Sequence, residues 1–168
     1  MADYLVRVTK DYLIFSAGHF ITIEGGHCER IHGHNWRLAI EVEGPLNEHE
    51  YVFDFIALLE FGKQIVQRLD HRMLLADGTG LIRLEDEVTN WRATFADRYW
   101  SFPKDECVVL PIPNTTTERI AHWIADELVA HMQTRGIPVP EGLRVEVEEN
   151  VGQIARVCIN PKAAITRK

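Results

Sequence analysis

The segment NWRLAIEVEG, residues 35–44, alternates apolar and polar side chains. Trp36, Leu38, Ile40 and Val42 fall on one face of an extended chain, with Arg37, Glu41 and Glu43 mostly on the other. That pattern predicts a half-buried antiparallel strand, one face on a core and one in water, ending at Gly44-Pro45. LRVEVEEN and QIARVCIN alternate in the same way around Val151-Gly152, which predicts a hairpin. YLVRVTKDYLIFSAGH alternates only in part but is rich in β-branched and aromatic residues, so residues 4–16 are expected to form a strand.

Two stretches have helical period instead. Asp54 is the expected cap of a helix running to about Leu69, with Phe55, Leu58, Leu59, Gly62, Ile65, Val66 and Leu69 at helical spacing. In PNTTTERIAHWIADELVAHM, Thr115 and Glu118 have the spacing of a capping box, and Ile120, Trp123, Ile124 and Leu128 make an apolar stripe. The order strand, strand, helix, helix, strand, strand predicts an α+β fold: a four-stranded antiparallel sheet with two helices on one face. Such a sheet has two uncovered edges, and uncovered edges invite pairing with another chain. The 168 residues suit one domain, 1–168. Residues 75–112, with weak periodicity, are expected to be an insertion with some helix.

The net charge of -7 withholds the basic footprint that nucleic-acid binding needs. Arg83, Arg92 and Arg98 lie among charges of both signs and read as solvated. No apolar run is long enough to span a bilayer. The N-terminus lacks the basic-then-apolar order of a signal peptide, which points to the cytoplasm. Three cysteines at wide spacings do not make a disulfide framework.

The chemistry concentrates in CERIHGHN, residues 28–35. His32 and His34 stand two apart on a strand and so point to one face. Gly33 removes side-chain bulk between them. His19, at the end of the first strand, would lie beside them in a hairpin. Three imidazoles suit Zn²⁺ and leave a fourth position open, the pattern of a catalytic site. Cys28 could be a fourth ligand, a base or nucleophile beside the metal, or a small buried residue. In LDHRML, Asp70 could orient His71 and raise its basicity, although adjacent residues do not easily bond side chain to side chain.

Together these residues resemble the 6-pyruvoyltetrahydropterin synthase / 6-carboxytetrahydropterin synthase family over most of the chain outside the insertion. FSAGHF resembles its first zinc-histidine segment, CERIHGHNW its Cys-x-x-x-His-Gly-His, VFDFIALLE the opening of its first helix and LDHRML its Asp-His segment. NTTTERIA resembles its Asn-Pro-Thr-x-Glu helix start, with Thr115 where proline is usual. The resemblance implies the tunnelling fold, in which subunit sheets join edge to edge into a barrel with active sites between subunits. A homo-oligomer in a multiple of three, such as a hexamer, is expected. It implies a zinc-dependent lyase acting on 7,8-dihydroneopterin triphosphate, with His19, His32 and His34 as metal ligands. Cys28 would transfer the proton as a thiolate, and His71, oriented by Asp70, would serve a second transfer. Thr116, Glu118 and Glu149 would bind substrate. Glu149, with Glu148 as the adjacent alternative, would receive the guanidine-like edge of the pterin.

Within the family that the chain resembles, the short Cys-x-x-x-His-Gly-His spacing is the bacterial form, so the resemblance implies 6-carboxytetrahydropterin as the favoured product, a step toward queuosine and related deazapurines. The alternatives within the family are 6-pyruvoyltetrahydropterin and 6-hydroxymethyl-7,8-dihydropterin. Relatives making the last carry a glutamate three residues before the first histidine of His-Gly-His, and Glu29 occupies that place here. Holding both Cys28 and Glu29 resembles dual-activity relatives; the plain alternative for Glu29 is a solvated loop carboxylate. Outside enzymes, a non-catalytic pterin- or purine-binding module would keep the same fold.

Overall fold

The computed structural model describes residues 4–162. The first strand, β1 (Tyr4–His19), precedes a two-residue ribbon, β2 (Thr22–Ile23) and β3 (His27–Cys28), and the long strand β4 (His32–Gly44). β1 and β4 run antiparallel from Tyr4↔Gly44 to His19↔His32. A register shift between Thr9 and Ile14 accounts for the broken alternation of β1. Helix α1 (Phe55–Leu69) leads into β5 (Arg72–Ala76). Then come β6 (Arg83–Asp86), β7 (Asn90–Phe95), β8 (Arg98–Pro103), β9 (Cys107–Leu110), α2 (Thr117–Thr134) and the hairpin β10 (Gly142–Asn150) and β11 (Gln153–Ile159).

The main sheet has six strands in the order β11-β10-β4-β1-β5-β9, not four. The antiparallel part is as expected; β5 and β9 add to the β1 side in parallel. Both are short apolar runs, RMLLA and CVVL. Strands of this kind carry no alternation and cannot be told by period from a stretch of helix. Both helices pack on one face. Leu58, Phe61 and Ile65 of α1 and Ile120, Ile124 and Leu128 of α2 share a core with Phe15, Trp36, Ile40 and Val145 of the sheet. The α1 backbone comes so close at Gly62 that a Cβ there would stand 3.0 Å from Ile40 Cδ1 and 3.3 Å from Leu13 Cδ2.

Asp54 caps α1, its carboxylate accepting from the Ile56 N–H at 2.8 Å. The cap of α2 is Thr116 rather than Thr115: its hydroxyl faces the Arg119 N–H. Thr115 is drawn off by tertiary structure, and its hydroxyl donates to the Phe20 carbonyl at 3.0 Å.

The 75–112 segment is β, not partly helical, apart from one 3₁₀ turn at Lys104–Glu106. Its two ends belong to the main sheet as β5 and β9. Between them β6, β7 and β8 form a separate antiparallel three-stranded sheet. It lies over a second core containing Phe20, Cys28, Leu75, Ile82 and Ala93, flanked by Trp91, Trp100 and Phe102. The insertion is thereby packed against the segment that carries CERIHGHN.

Candidate active site

His19 and His32 face each other across the β1–β4 ladder, and His34 follows on the same face. Their ring centroids are 4.5 Å (His19–His32), 4.9 Å (His32–His34) and 5.4 Å (His19–His34) apart. One ligand atom from each lies within 4.8 Å of the others. Gly33 permits this closeness: a Cβ there would meet the Ala17 carbonyl at 3.3 Å.

Two of the rings are oriented from behind. The His19 Nδ1–H donates to the Thr115 carbonyl at 2.9 Å and the His32 Nδ1–H to the Arg30 carbonyl at 2.8 Å. This leaves each Nε2 as a lone pair facing the cluster, the arrangement of metal-ligating histidines. The Nε2 atoms of His19 and His34 are buried and have no hydrogen-bond partner. Buried polar atoms without partners are costly, and one cation would satisfy these together. Burial, opposed by the Thr115 bond, lowers the His19 pKa, which favours the neutral ring that a metal requires. The residues therefore fit a metal ion.

Glu149 looks into the same space. Its Oε1 is 3.4 Å from His19 Nε2 and 3.8 Å from His34 Nε2. It sits where the β10–β11 register shifts, between Glu148 and Asn150. Glu148 is turned elsewhere, accepting from the Gly152 N–H at 2.9 Å and standing 3.9 Å from Arg37. Of the two adjacent glutamates, Glu149 is the one at the cluster. Glu149 also lines a cavity of about 300 Å³ with Thr117 and Glu118 from the start of α2. Thr116, the expected neighbour there, is occupied as the helix cap.

Cys28 departs from the expectation of a thiolate beside the metal. It is 1% exposed, inside the second core, and its Sγ–H points to the Glu29 carbonyl at 3.5 Å. Burial raises its pKa, with Arg98 acting only partly against that. Glu29 is half-buried, its Oε2 3.9 Å from His32 Nε2. Arg98 is not solvated as its sequence context suggested; it donates to the Cys28 carbonyl at 2.9 Å. No spacing or periodicity pointed to Arg98, because the insertion brings it back from seventy residues away in sequence.

Asp70 and His71 do bond to each other, Oδ2 to Nδ1 at 3.0 Å. The pairing of neighbours is possible because His71 adopts φ +56°. That conformation costs a non-glycine residue on the order of 1–3 kcal/mol. It is held by the His71 N–H on the Ser16 carbonyl at 2.7 Å and by Asp70 Oδ1 on the Ser16 N–H at 2.8 Å. The Ser16 bond holds the Asp70 carboxyl below its ordinary range, with the His71 bond adding to it. The His71 side chain is 84% exposed. Among the described residues no hydrogen bond or ion pair joins it to the three histidines.

The arrangement defines a class: an α+β protein with a metal-ready trio of imidazoles on a sheet, a carboxylate on either side, and an Asp-His pair near one end of β1. The family model described as 6-pyruvoyl tetrahydropterin synthase matches residues 8–158. The chain belongs to that family, whose members are lyases acting on pterins. A curated relative from Pyrococcus abyssi, named putative 6-carboxy-5,6,7,8-tetrahydropterin synthase, is 32% identical over 149 residues, 88% of this chain and 87% of that one. A Dihydroneopterin monophosphate aldolase from Pyrococcus furiosus is 40% identical over 60 residues, 36% of this chain and 50% of that one. Among solved structures, 6-pyruvoyltetrahydropterin synthase from Plasmodium vivax superposes with a TM-score of 0.85 at 28% identity, covering 95% of this chain and 99% of that one. A variant of the same protein with alanine in place of a glutamate is described as a catalytic residue mutant.

Proposed function

We propose that this protein is a zinc-dependent lyase that acts on the side chain of 7,8-dihydroneopterin triphosphate, with Glu29 as the group that moves the proton. One observation carries the choice of residue: the Glu29 carboxylate stands 3.9 Å from His32 Nε2, while the Cys28 thiol is buried among the apolar residues of the second core. His19, His32 and His34 would hold Zn²⁺, which when bound polarises the side-chain hydroxyls as a Lewis acid. Glu29 would take the proton from the 2′-hydroxyl. Cleavage of the C1′–C2′ bond then leaves its electron pair on C1′, delocalised into the pterin ring, and C2′ departs as an aldehyde still carrying the triphosphate. Return of the proton to C1′ gives 6-hydroxymethyl-7,8-dihydropterin. Glu149 would receive the amino-pyrimidine edge of the ring through a fork of charge-assisted hydrogen bonds, with Thr116 and Glu118 at the same end. Asp70 and His71, exposed in one chain, would complete the site of a neighbouring subunit.

A second product reading, 6-carboxytetrahydropterin, is favoured by the names of relatives such as the Pyrococcus abyssi protein. It would use Cys28 to abstract a side-chain proton and requires the thiol to leave its buried position. Incubating the zinc-loaded protein with 7,8-dihydroneopterin triphosphate and identifying products by mass spectrometry separates the readings. The expected mass is that of 6-hydroxymethyl-7,8-dihydropterin; 6-carboxytetrahydropterin alone would overturn the choice of Glu29, and no turnover would favour a non-catalytic pterin binder.

A further inference from the structure

The peptide group joining Cys28 to Glu29 is pinned at both of its polar atoms. Its N–H, that of Glu29, donates to the Ile21 carbonyl at 2.9 Å. Its carbonyl, that of Cys28, accepts from Arg98 Nη2 at 2.9 Å. Held at both ends, the peptide plane is restrained from rotating, and with it the direction in which the Glu29 side chain leaves the backbone. The Cys28 side chain, sunk in the second core, acts as the anchor on the preceding residue.

Arg98 has further contacts besides this bond. It opens β8 directly after the turn at Ala96-Asp97, and Ala96 takes φ +51° to make that turn. The Arg98 guanidinium carbon lies 5.3 Å from the centre of the Trp100 ring and 5.6 Å from that of Phe95. Rings at this distance favour a cation and restrict where the side chain can swing. Trp100 and Phe95 in turn pack on the second core. The three-stranded insertion thus supplies an arm, packed on the second core, that reaches the backbone beside Glu29.

We infer that Arg98 is a positioning residue for Glu29: by fixing the Cys28–Glu29 peptide it aims the carboxylate at the His32 side of the three-histidine cluster. The insertion is then a part of the active-site framework contributed by the same chain. This inference rests on the reading of Glu29 as the proton-transferring group.

The test is a double-mutant comparison on the full-length, zinc-loaded protein, with Arg98→Met and Arg98→Lys made alone and together with Glu29→Ala. Turnover of 7,8-dihydroneopterin triphosphate, bound zinc and the thermal midpoint are measured for each. A misplacement of about 1 Å in a reacting group costs on the order of 10²-fold. Arg98→Met is therefore expected to lower kcat by roughly 10- to 100-fold, with KM changed less than about threefold and zinc retained. Arg98→Lys, which keeps a cation and a donor, should recover part of the loss. In the Glu29→Ala background Arg98→Met should cost nothing further, because residues that act as a unit are not additive. Equal fold losses in both backgrounds, a change confined to KM, or full activity in Arg98→Met would overturn the inference. If Glu29→Ala itself turns over normally, the reading of Glu29 fails and the inference with it. If Glu29→Ala is impaired but Arg98→Met is not, only the inference fails. Should Arg98→Met not fold, Arg98→Leu, which likewise removes the donor and keeps an apolar stem, carries the same comparison.

Discussion

Cys28 and Glu29 are neighbours in the chain and face opposite environments. Cys28 is 1% exposed in an apolar core; the Glu29 carboxylate is half-exposed and stands 3.9 Å from a histidine of the cluster. Side chains that follow one another along an extended backbone diverge, so one of the pair can serve the reacting centre and the other anchors the loop. Burial makes the thiol the weaker acid and so less available as the thiolate that proton abstraction needs.

The two unpartnered Nε2 atoms, in a cluster that could hold a metal ion, give the first prediction. About one Zn²⁺ per chain is expected by elemental analysis, with His32→Ala and His34→Ala each losing most of it. Full retention in both variants would remove the three-histidine site. Cys28→Ala is expected to keep its zinc, because the thiol is buried in the second core and the group that could hold a metal is His19, His32 and His34.

Assembly is expected from the sheet edges. β11 and β9 end the six-stranded sheet, and uncovered edges pair. The exposed Asp70–His71 pair would then meet a neighbouring subunit's cluster. Light scattering should give a multiple of three chains at micromolar concentration. A monomer would contradict both the assembly and a shared site.

Acid should weaken the solvent face of the sheet. Arg7 on β1 reaches Glu146 on β10 at 2.7 Å and also pairs with Glu41 on β4, while Arg156 on β11 closes on Glu146 from the other side. The Arg7 bond, opposed by burial and reinforced by Arg156, holds the Glu146 carboxyl below its ordinary 4.5. A carboxylate with a depressed folded pKa contributes stability that is fully present above the unfolded value and lost as pH falls through the folded one. The denaturation midpoint of the native protein should therefore drop more steeply below about pH 4.5 than that of Glu146→Gln. Parallel curves would show that the pair adds nothing to stability.

Packing at Gly62 gives a further expectation. Gly62→Val places new atoms against Ile40 and Leu13, where a Cβ alone already stands at 3.0 Å and 3.3 Å. Overpacking of this kind costs about 1–3 kcal/mol, to be read from chemical denaturation. An unchanged midpoint would mean that α1 can move off the sheet freely.

The sequence was most legible where one physical period dominated. The alternation of β4 and of the β10–β11 hairpin follows from a sheet with one wet face, and the same period brought His32 and His34 together and set His19 opposite. It failed where tertiary contacts decide. β5 and β9 are short apolar runs without alternation, so the sheet was expected two strands too narrow. Thr115 has the spacing of a cap but bonds Phe20 instead, leaving the cap to Thr116. The resemblance already favoured Glu149 over Glu148, but the register shift in β10 that sets the two apart has no signature in the sequence. The insertion was opaque because its strands are four to six residues long and pack on a small core of their own, partly built from Phe20 and Cys28 of another segment.

The most direct measurement is a side-by-side product analysis of Glu29→Ala and Cys28→Ala, both zinc-loaded, with 7,8-dihydroneopterin triphosphate. Removing a positioned acid-base group costs on the order of 10²–10⁴ in rate. Formation of 6-hydroxymethyl-7,8-dihydropterin is predicted to fall by that much in Glu29→Ala and to survive in Cys28→Ala. Unchanged turnover in Glu29→Ala together with complete loss in Cys28→Ala would contradict the account.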